Sequence, residues 1–303
     1  MAVDWSQVRL GIIGGDRREL EVADIMVARG AQVRAVGLPW PDDVSWAANR
    51  IEDVAAWASV LLTPVGGTDE FGQVSYTIVN GTQPAPRLTD AVLRRVAPGT
   101  ILCIGIARPF LREAAQRYGL RLCEFRERDD FAIRNAVPTA EGALQLAMES
   151  SPVTIFGSSA VVVGYGRAGS ALGDRLHLLG ARVTAVARAS ADRARALSRG
   201  LGAAEFADLP TVVETADLVF NTVPAPVITE SVLAHTLPEV SIVDLASAPG
   251  GVDFVAARRL GRRARLAPGL PGIVAPKSAG RIVADIIETI LAEEENRGGL
   301  HVP

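Results

Sequence analysis

The sequence contains few of the residues that bind metals or form covalent cross-links. Its 303 residues include two cysteines and three histidines. Cys103 and Cys123 lie in predicted strands and have no histidine partners at ligand spacing, which excludes a disulfide scaffold and a structural zinc site. We therefore expect two buried, inert thiols and no bound metal.

Lysine is nearly absent, and basic residues do not form long runs. Of the 31 basic residues, 30 are arginine and one, Lys277, is lysine. The formal net charge is −3, and no basic run is long enough to follow a nucleic-acid backbone. We therefore expect no nucleic-acid partner.

Membrane signals are missing too. No apolar run approaches the roughly 18 residues of a membrane-spanning helix. The first residues, Met1–Trp5, show no basic region followed by an apolar stretch, so no signal peptide is indicated. We expect a cytoplasmic protein that forms a homo-oligomer and does not bind a membrane.

What the sequence does contain is a regular alternation of apolar strands and amphipathic helices. Apolar residues make up 49% and charged residues 21%, and 303 residues suit two domains. Helices are predicted, for example, over Val44–Ala56 and from Thr89, between short apolar strands. Strict alternation predicts parallel sheets covered by helices on both faces. The expected fold class is α/β, with two Rossmann-like doubly wound parallel-sheet domains and a cleft between them.

A charged run at 126–130 interrupts the alternation and marks a domain boundary. Thr139 is a predicted N-cap of a new helix. We place a flavodoxin- or Rossmann-like substrate domain at 1–137 and an NAD(P)-binding Rossmann domain at 138–275. The remaining segment, 276–303, is predicted to contain a long helix, from Lys277 to about Glu295, that packs back across the junction.

A glycine motif follows the first strand of the second domain. The strand Ala160–Val163 runs into Gly164-Tyr165-Gly166-Arg167-Ala168-Gly169 and then into a predicted helix. In this context Gly164 permits a tight turn, Gly166 admits a pyrophosphate close to the backbone, and Gly169 lets the helix pack on the strand. The free N–H groups of that helix would face the phosphates. The motif predicts a dinucleotide site.

The end of the next strand favours NADP over NAD. An NAD site usually has an acidic residue there, which binds the ribose 2′-hydroxyl. This strand ends instead at Arg188, followed by Ser190 and Arg193. Arg188 is placed to meet a 2′-phosphate, although stacking of Arg188 on adenine would leave NAD acceptable.

Loops at the carboxyl ends of two later strands are expected to flank the ribose and nicotinamide, because such loops line the ligand crevice of a parallel sheet. The predicted cofactor-contacting residues in these loops are Asn221, Thr222, Val223, Pro224, Asp244, Leu245 and Ala246.

Several motifs, in chain order, resemble those of the dipicolinate synthase A-subunit family. They are Ile13–Arg17, Asn135–Ala143, the glycine motif at 164–169, Asp244–Gly251 and Ala267–Lys277. The last is the most specific, because no general property of a Rossmann domain requires it. The resemblance covers nearly the whole chain and is weakest over 39–87.

The resemblance implies an activity and a partner. It implies oxidation of dihydrodipicolinate to dipicolinate, the pyridine dicarboxylate of bacterial spores, with reduction of a nicotinamide cofactor during sporulation. The substrate would be a small dicarboxylate, and a flavoprotein-like B chain would be the second component of the enzyme.

A planar dicarboxylate needs anion-binding groups. Arg17 follows the first strand at a helix N-terminus, and Arg108 follows a later strand end. Both are candidate carboxylate ligands, although a surface ion pair would also explain Arg17. Asn135 and Thr139 are candidate substrate-binding residues near the boundary, where N-capping alone would explain Thr139.

Aromatisation also requires a base that accepts a proton. Lys277 is a candidate because its ammonium is compact and its pKa is tunable, and because the start of a helix disfavours a cation. A single lysine codon left by drift is the alternative. Glu141 and Asp16 are the other candidate catalytic residues, and the sequence does not rank the three.

Two other functions remain open from the residues alone. One is a different two-domain NAD(P)-dependent dehydrogenase, of the shikimate or alanine type, acting on another small carboxylate. The other is a non-catalytic nucleotide-binding protein that needs its partner for chemistry.

Overall fold

The computed structural model describes residues 3–38, 44–48, 50–74 and 85–297. The chain divides into two compact units: Met1–Ala132 together with Pro276–Pro303, and Ile133–Ala275. The division falls at 132/133, inside a helix, whereas the sequence places the boundary at 137/138. None of the described helices is long and apolar enough to cross a membrane.

Helices make up much of both units. In the described residues they are α1 (Arg17–Ala28), α2 (Ile51–Trp57), α3 (Asp90–Leu93), α4 (Pro109–Arg117), α5 (Asp129–Ser150), α6 (Arg167–Leu178), α7 (Ser190–Ser198), α8 (Leu209–Val212), α9 (Glu230–His235), α10 (Phe254–Arg259), α11 (Leu270–Val274) and α12 (Pro276–Asn296).

The first unit contains a five-stranded parallel sheet in the order β2-β1-β3-β4-β5. Its strands are β1 (Arg9–Ile13), β2 (Gln32–Val36), β3 (Val60–Leu62), β4 (Ile101–Ile104) and β5 (Arg121–Glu124). Because successive side chains of a strand point to opposite faces, the apolar strands feed two cores. Leu10 and Ile12 pack with residues of α1 and α12, and Ile13 packs with residues of α2, α3 and α4.

The second unit contains a six-stranded parallel sheet in the order β11-β10-β9-β6-β7-β8. Its strands are β6 (Ser159–Val163), β7 (Arg182–Val186), β8 (Gly202–Ala204), β9 (Leu218–Asn221), β10 (Ser241–Asp244) and β11 (Arg263–Leu266). Val162 packs with α5 and α6, and Val163 packs with α8, α9 and α10. Both sheets are parallel and covered on both faces, which confirms the predicted fold class of two doubly wound parallel-sheet domains.

The strand orders fix where ligands can bind. In open parallel sheets, ligands bind at the carboxyl ends of the strands, where the strand order reverses. That point lies between β1 and β3 in the first unit and between β6 and β9 in the second. The ends of β1, β6 and β9, with the turns and helix starts that follow them, carry about half of the predicted site residues.

Two helix predictions are wrong. Thr139 is not an N-cap, because α5 is continuous from Asp129 to Ser150 with Pro138 inside it. The Thr139 hydroxyl instead donates to the carbonyl of Asn135, one turn earlier, at 2.8 Å. The helix predicted over Val44–Ala56 begins only at Ile51, because Trp46 and Ala48 hydrogen-bond to Ala35 of β2, the edge strand of the first sheet.

The two cysteines are neighbours in the first sheet. Cys103 on β4 and Cys123 on β5 are register partners and form no disulfide. Cys103 is buried and Cys123 is partly exposed, so the prediction of burial is met fully only by Cys103. Burial raises the pKa of both thiols, that of Cys123 to about 11, so both are protonated at neutral pH.

The structure describes only part of two segments that the sequence analysis discusses. The residues it leaves out are 298–303 in the tail, and 39–43, 49 and 75–84 in the stretch of weakest resemblance.

Candidate functional site

The turn between β6 and α6 is shaped by its glycines. Gly164 has φ +89°, and a Cβ on it would lie 2.3 Å from Thr222 Oγ1. A Cβ on Gly169 would lie 1.9 Å from the carbonyl oxygen of Gly164, so any larger residue would push the helix off the strand. A Cβ on Gly166 would meet nothing within 4 Å. The backbone at Gly166 therefore borders open space.

The N-terminus of α6 is open. Its N-cap, Gly166, supplies no side-chain hydrogen bond, and its first turn contains no acidic residue. The first N–H groups of an α-helix have no intrahelical acceptor and carry a partial positive charge. In this turn they can bind an anion, and a diphosphate fits the chemistry of the donors.

Tyr165 can contribute only its backbone to this turn. Its ring is buried, and its hydroxyl donates to Asp174 Oδ1 at 2.9 Å. Burial, together with that carboxylate, raises the pKa of the Tyr165 hydroxyl. The side chain therefore anchors the turn from inside the unit.

Two arginines near the end of β7, Arg188 and Arg193, have different roles. Arg193 Nη1 donates to the carbonyls of Ala187 and Arg188, at 3.0 and 2.8 Å, and its Nη2 pairs with Glu205 at 2.6 Å. Arg193 therefore holds the end of the strand. Arg188 is exposed, has no ion pair in the described part of the chain, and precedes the exposed Ser190 by two residues.

The loops after β9 and β10 are tied together by internal hydrogen bonds. Thr222 Oγ1 donates to the carbonyls of Val163 and Gly164, at 3.0 and 3.3 Å, and so links the β9 loop to the glycine turn. Asn221 and Asp244 are buried and bonded to each other. Pro224 is exposed, Val223 and Leu245 are half-buried, and Ala246 is buried.

The N-terminus of α1, in the first unit, is closed. Asp16 caps it by accepting from Arg18 N at 2.9 Å, and Glu19 accepts from Asp16 N at 2.8 Å, which is a reciprocal capping box. Two carboxylates of the chain itself thus occupy a helix end of the kind that is left open at α6. Burial alone would raise the pKa of Asp16, but the hydrogen bonds and charge of Arg18 lower it.

Glu19 is an acid that the site predictions did not include. It is fully buried beneath the turn, and its Oε1 has no hydrogen-bond partner. Burial raises the pKa of Glu19 to about 7, against the opposing charge of Arg18. The capping-box spacing of Asp16 and Glu19 was the signal that could have identified it.

Lys277 lies near Arg17. It occupies the first turn of α12, and α12 packs along α1 so closely that a Cβ on Gly280 would lie 2.7 Å from the carbonyl of Arg18. Further along, Arg29 pairs with Asp285 and Glu288 of α12, so the two helices start at the same end. Lys277 and Arg17 are both exposed there, without an ion pair among the described residues.

Arg108 is exposed at the start of α4, in a turn that is fixed by hydrogen bonds to neighbouring residues. Its Nε donates to the carbonyl of Thr68 at 3.2 Å. Glu124 accepts from Ala107 N at 2.8 Å and from two nitrogens of Arg112, and the bond from Arg112 lowers the pKa of Glu124. Glu124 therefore fixes the turn that carries Arg108.

The remaining predicted residues lie on α5. Asn135 and Thr139 are half-buried, and Thr139 is bonded to Asn135 through the backbone. Glu141 is exposed on the same helix. The structure thus groups Arg17, Asp16 and Lys277 at one end of the first unit, and it places Glu141 in the second.

Comparison with known proteins gives two family matches. Residues 9–126 match the family described as the N-terminal domain of the dipicolinate synthase A subunit. Residues 134–248 match the family described as D-isomer specific 2-hydroxyacid dehydrogenase, NAD binding domain. The second match identifies the glycine turn as part of a dehydrogenase-type NAD-binding domain.

Relatives of the whole chain are known as well. The chain is 35% identical over 295 residues to the dipicolinate synthase A subunit of Bacillus subtilis (strain 168), covering 96% of this chain and 98% of the relative. Crystal structures of the corresponding proteins from Bacillus halodurans and Bacillus subtilis superpose with TM-scores of 0.87 and 0.84, each at 35% identity. They cover 95% and 96% of this chain, and 99% and 98% of theirs.

The buried Glu19 predicts an unusual pH dependence of stability. A carboxyl group with a pKa of about 7 when folded, and an ordinary value near 4.5 when unfolded, binds more protons in the folded state between these values. The free energy of unfolding should therefore fall as the pH rises from 5 to 7, by roughly 2–3 kcal/mol from this group. We expect Glu19→Gln to remove that fall, measured by urea unfolding across this range.

The exposed Asp24, on the same helix, provides the matched control. Asp24→Asn should keep the wild-type slope of stability against pH. An identical slope in wild type and Glu19→Gln would show that Glu19 is ionised throughout this range.

Proposed function

Because the chain belongs to the dipicolinate synthase A-subunit family, we propose that it oxidises dihydrodipicolinate to dipicolinate and passes the hydride to NADP⁺, with NAD⁺ as a possible substitute. The observation that carries the proposal is the open N-terminus of α6, in a domain of the dehydrogenase type. Dipicolinate is the pyridine dicarboxylate of bacterial spores, so the reaction would belong to sporulation.

The cofactor would lie along the carboxyl edge of the second sheet. The diphosphate would rest on the N–H groups at the start of α6, over Gly166, next to Arg167 and Ala168. The adenosine half would lie towards β7, where Arg188 and Ser190 are exposed. A free guanidinium there, where β7 itself ends without an acidic residue and Glu205 is paired with Arg193, supports a 2′-phosphate and hence NADP.

The substrate would bind at the carboxyl edge of the first sheet. Arg17 and Arg108 follow β1 and β4, which are separated by β3, so the two strands are about 10 Å apart. Two arginine side chains extending from such positions can reach both carboxylates of one small ring. Asn135 and Thr139 stay candidate hydrogen-bonding residues.

The chemistry removes one hydride and one proton from the dihydropyridine ring. A bound nicotinamide supplies the hydride acceptor: the two electrons of the ring C–H bond leave with that hydrogen. The second hydrogen leaves as a proton, and its bonding electrons complete the aromatic ring of dipicolinate. Positively charged residues around the carboxylates orient the ring and need not change during the reaction.

Lys277 is our choice for the proton acceptor among the three candidate bases. Asp16 is used by the cap of α1 and by Arg18, and its lowered pKa makes it a weak base. Lys277 lies in the first turn of the 21-residue helix α12, exposed and without an ion pair among the described residues, so its amino group is accessible to a bound substrate. Glu141 remains the second candidate, since its carboxylate is exposed and has no ion pair in the described residues.

A dipicolinate synthase B chain would be the partner of this protein, as the name of the family implies. The family match also leaves room for two narrower outcomes: another small carboxylate as substrate, or a requirement for the B chain before any hydride transfer occurs.

The activity is tested with the purified chain, freshly formed dihydrodipicolinate and NADP⁺. We expect reduced nicotinamide and dipicolinate to appear in equal amounts, measured by absorbance and by chromatography, with or without the B chain. Reduction that occurs only with another small carboxylate, or only after the B chain is added, would contradict the proposal.

Lys277→Met is the companion variant in this assay. It should bind the reduced cofactor like the wild type but lose turnover by about 100-fold or more, the usual contribution of a general base. Glu141→Gln should keep most of the activity. The opposite pattern would transfer the role of base to Glu141.

Arg188→Ala tests the choice of cofactor. Loss of a guanidinium that pairs with a 2′-phosphate should weaken NADPH binding by about tenfold or more and leave NADH binding within about twofold, measured by fluorescence titration. Arg182→Ala is the matched control, because Arg182 is an exposed arginine at the other end of the same strand. An equal loss of affinity for NADPH and NADH would mean that Arg188 does not contact the 2′-phosphate.

A further inference from the structure

We propose that Asp244 is a positioning residue, which touches no ligand and instead holds the two loops that contact the nicotinamide half of the cofactor. The inference rests on the proposed use of this edge by a dinucleotide. It assigns Asp244 and Asn221 a different role from direct cofactor binding, which is what the sequence pattern suggests for them.

Asp244 is the last residue of β10 and has no exposed surface. Its Oδ1 accepts from Asn221 Nδ2 at 2.8 Å and from Ala246 N at 3.0 Å. Its Oδ2 accepts from Gly251 N at 2.7 Å and from Val252 N at 3.1 Å. Four donors thus surround one carboxylate, which leaves no lone pair directed at a ligand.

Asn221 uses both hydrogens of its amide nitrogen within the same network. Besides the bond to Asp244, its Nδ2 donates to the carbonyl of Val223 at 3.0 Å, and its Oδ1 accepts from Val223 N at 3.0 Å. The amide therefore folds the β9 loop back on itself and joins it to Asp244. The pair connects the ends of β9 and β10, which are hydrogen-bonded neighbours in the sheet.

The loop after β10 wraps tightly around this carboxylate. Gly250 has φ +90°, and a Cβ on it would lie 2.4 Å from Asp244 Oδ2. A Cβ on Gly251 would lie 2.5 Å from Asn221 Nδ2 and 2.6 Å from the carbonyl of Val223. Two consecutive glycines are therefore required by the approach of the loop to the Asp244–Asn221 pair.

The pair acts on one half of the cofactor site only. In a doubly wound sheet of this order, β6, β7 and β8 form the half that takes the adenosine, and β9, β10 and β11 form the half that takes the nicotinamide nucleotide. The bonds of Asp244 stay within the second half. The bonds that hold the glycine turn come from the Thr222 hydroxyl, not from Asp244 or Asn221.

A carboxylate is needed because only an acceptor suits four converging donors. Asp244→Asn replaces one accepting oxygen by an NH₂ group, which would face N–H donors of the loop and force them apart. The loops around the nicotinamide half would loosen, and the adenosine half would keep its shape.

The experiment compares two ligands on full-length protein by calorimetry or fluorescence titration. We expect Asp244→Asn to raise the Kd for NADPH about tenfold and to change the Kd for 2′,5′-ADP, which lacks the nicotinamide half, by less than about twofold. An unchanged Kd for NADPH, or an equal loss for both ligands, would overturn the inference.

Two further variants complete the test. Asp217 Oδ2 accepts from Ser159 N at 2.8 Å at the opposite edge of the same sheet, so Asp217→Asn should alter neither Kd. If Asp244→Asn does not fold, Asn221→Ala replaces it, with an expected rise of about threefold for NADPH alone. If the wild type binds neither ligand, the proposed function fails instead.

Discussion

The unpaired backbone N–H groups at the start of α6 are the feature on which the proposed chemistry depends. Both units have a glycine turn between their first strand and first helix, and the two turns differ in what fills the helix end. At α1, Asp16 and Glu19 supply the acceptors from within the chain. At α6, Gly166 supplies none, and the space above it is open. An anion bound there would stabilise α6 in the way that the capping box stabilises α1.

A similar contrast between acidic groups bonded within the protein and unpaired basic groups is found at other positions. The carboxylates of Asp16, Glu124 and Asp244 are all bonded within the protein, where they fix turns at the carboxyl edges of the two sheets. The exposed ends of these edges carry cations instead: Arg17 and Arg108 in the first unit and Arg188 in the second, none with an ion pair in the described ranges. Such an arrangement suits ligands that bring their own negative charge, as a dicarboxylate and a dinucleotide both do.

The sequence predicted the fold class and the glycine turn well, because both follow from local patterns: alternation of strands and helices, and the spacing of Gly164, Gly166 and Gly169. It failed where tertiary contacts override local preference. Thr139 has the residue type of an N-cap, yet helix α5 continues through Pro138 because its apolar residues pack in the second core. The network of Asp244 was not predictable either, since it depends on how the loop after β10 folds back on the end of its own strand.

The most direct test of the central claim is the affinity of a Gly166→Val variant for NADPH. The backbone at Gly166 has φ −78°, which valine adopts readily, and a Cβ there meets nothing within 4 Å, so the protein should fold with a loss of stability of about 1 kcal/mol or less. The added side chain fills the space above the first N–H groups of α6. The account predicts a rise in Kd on the order of 100-fold. Binding as tight as that of the wild type would contradict it.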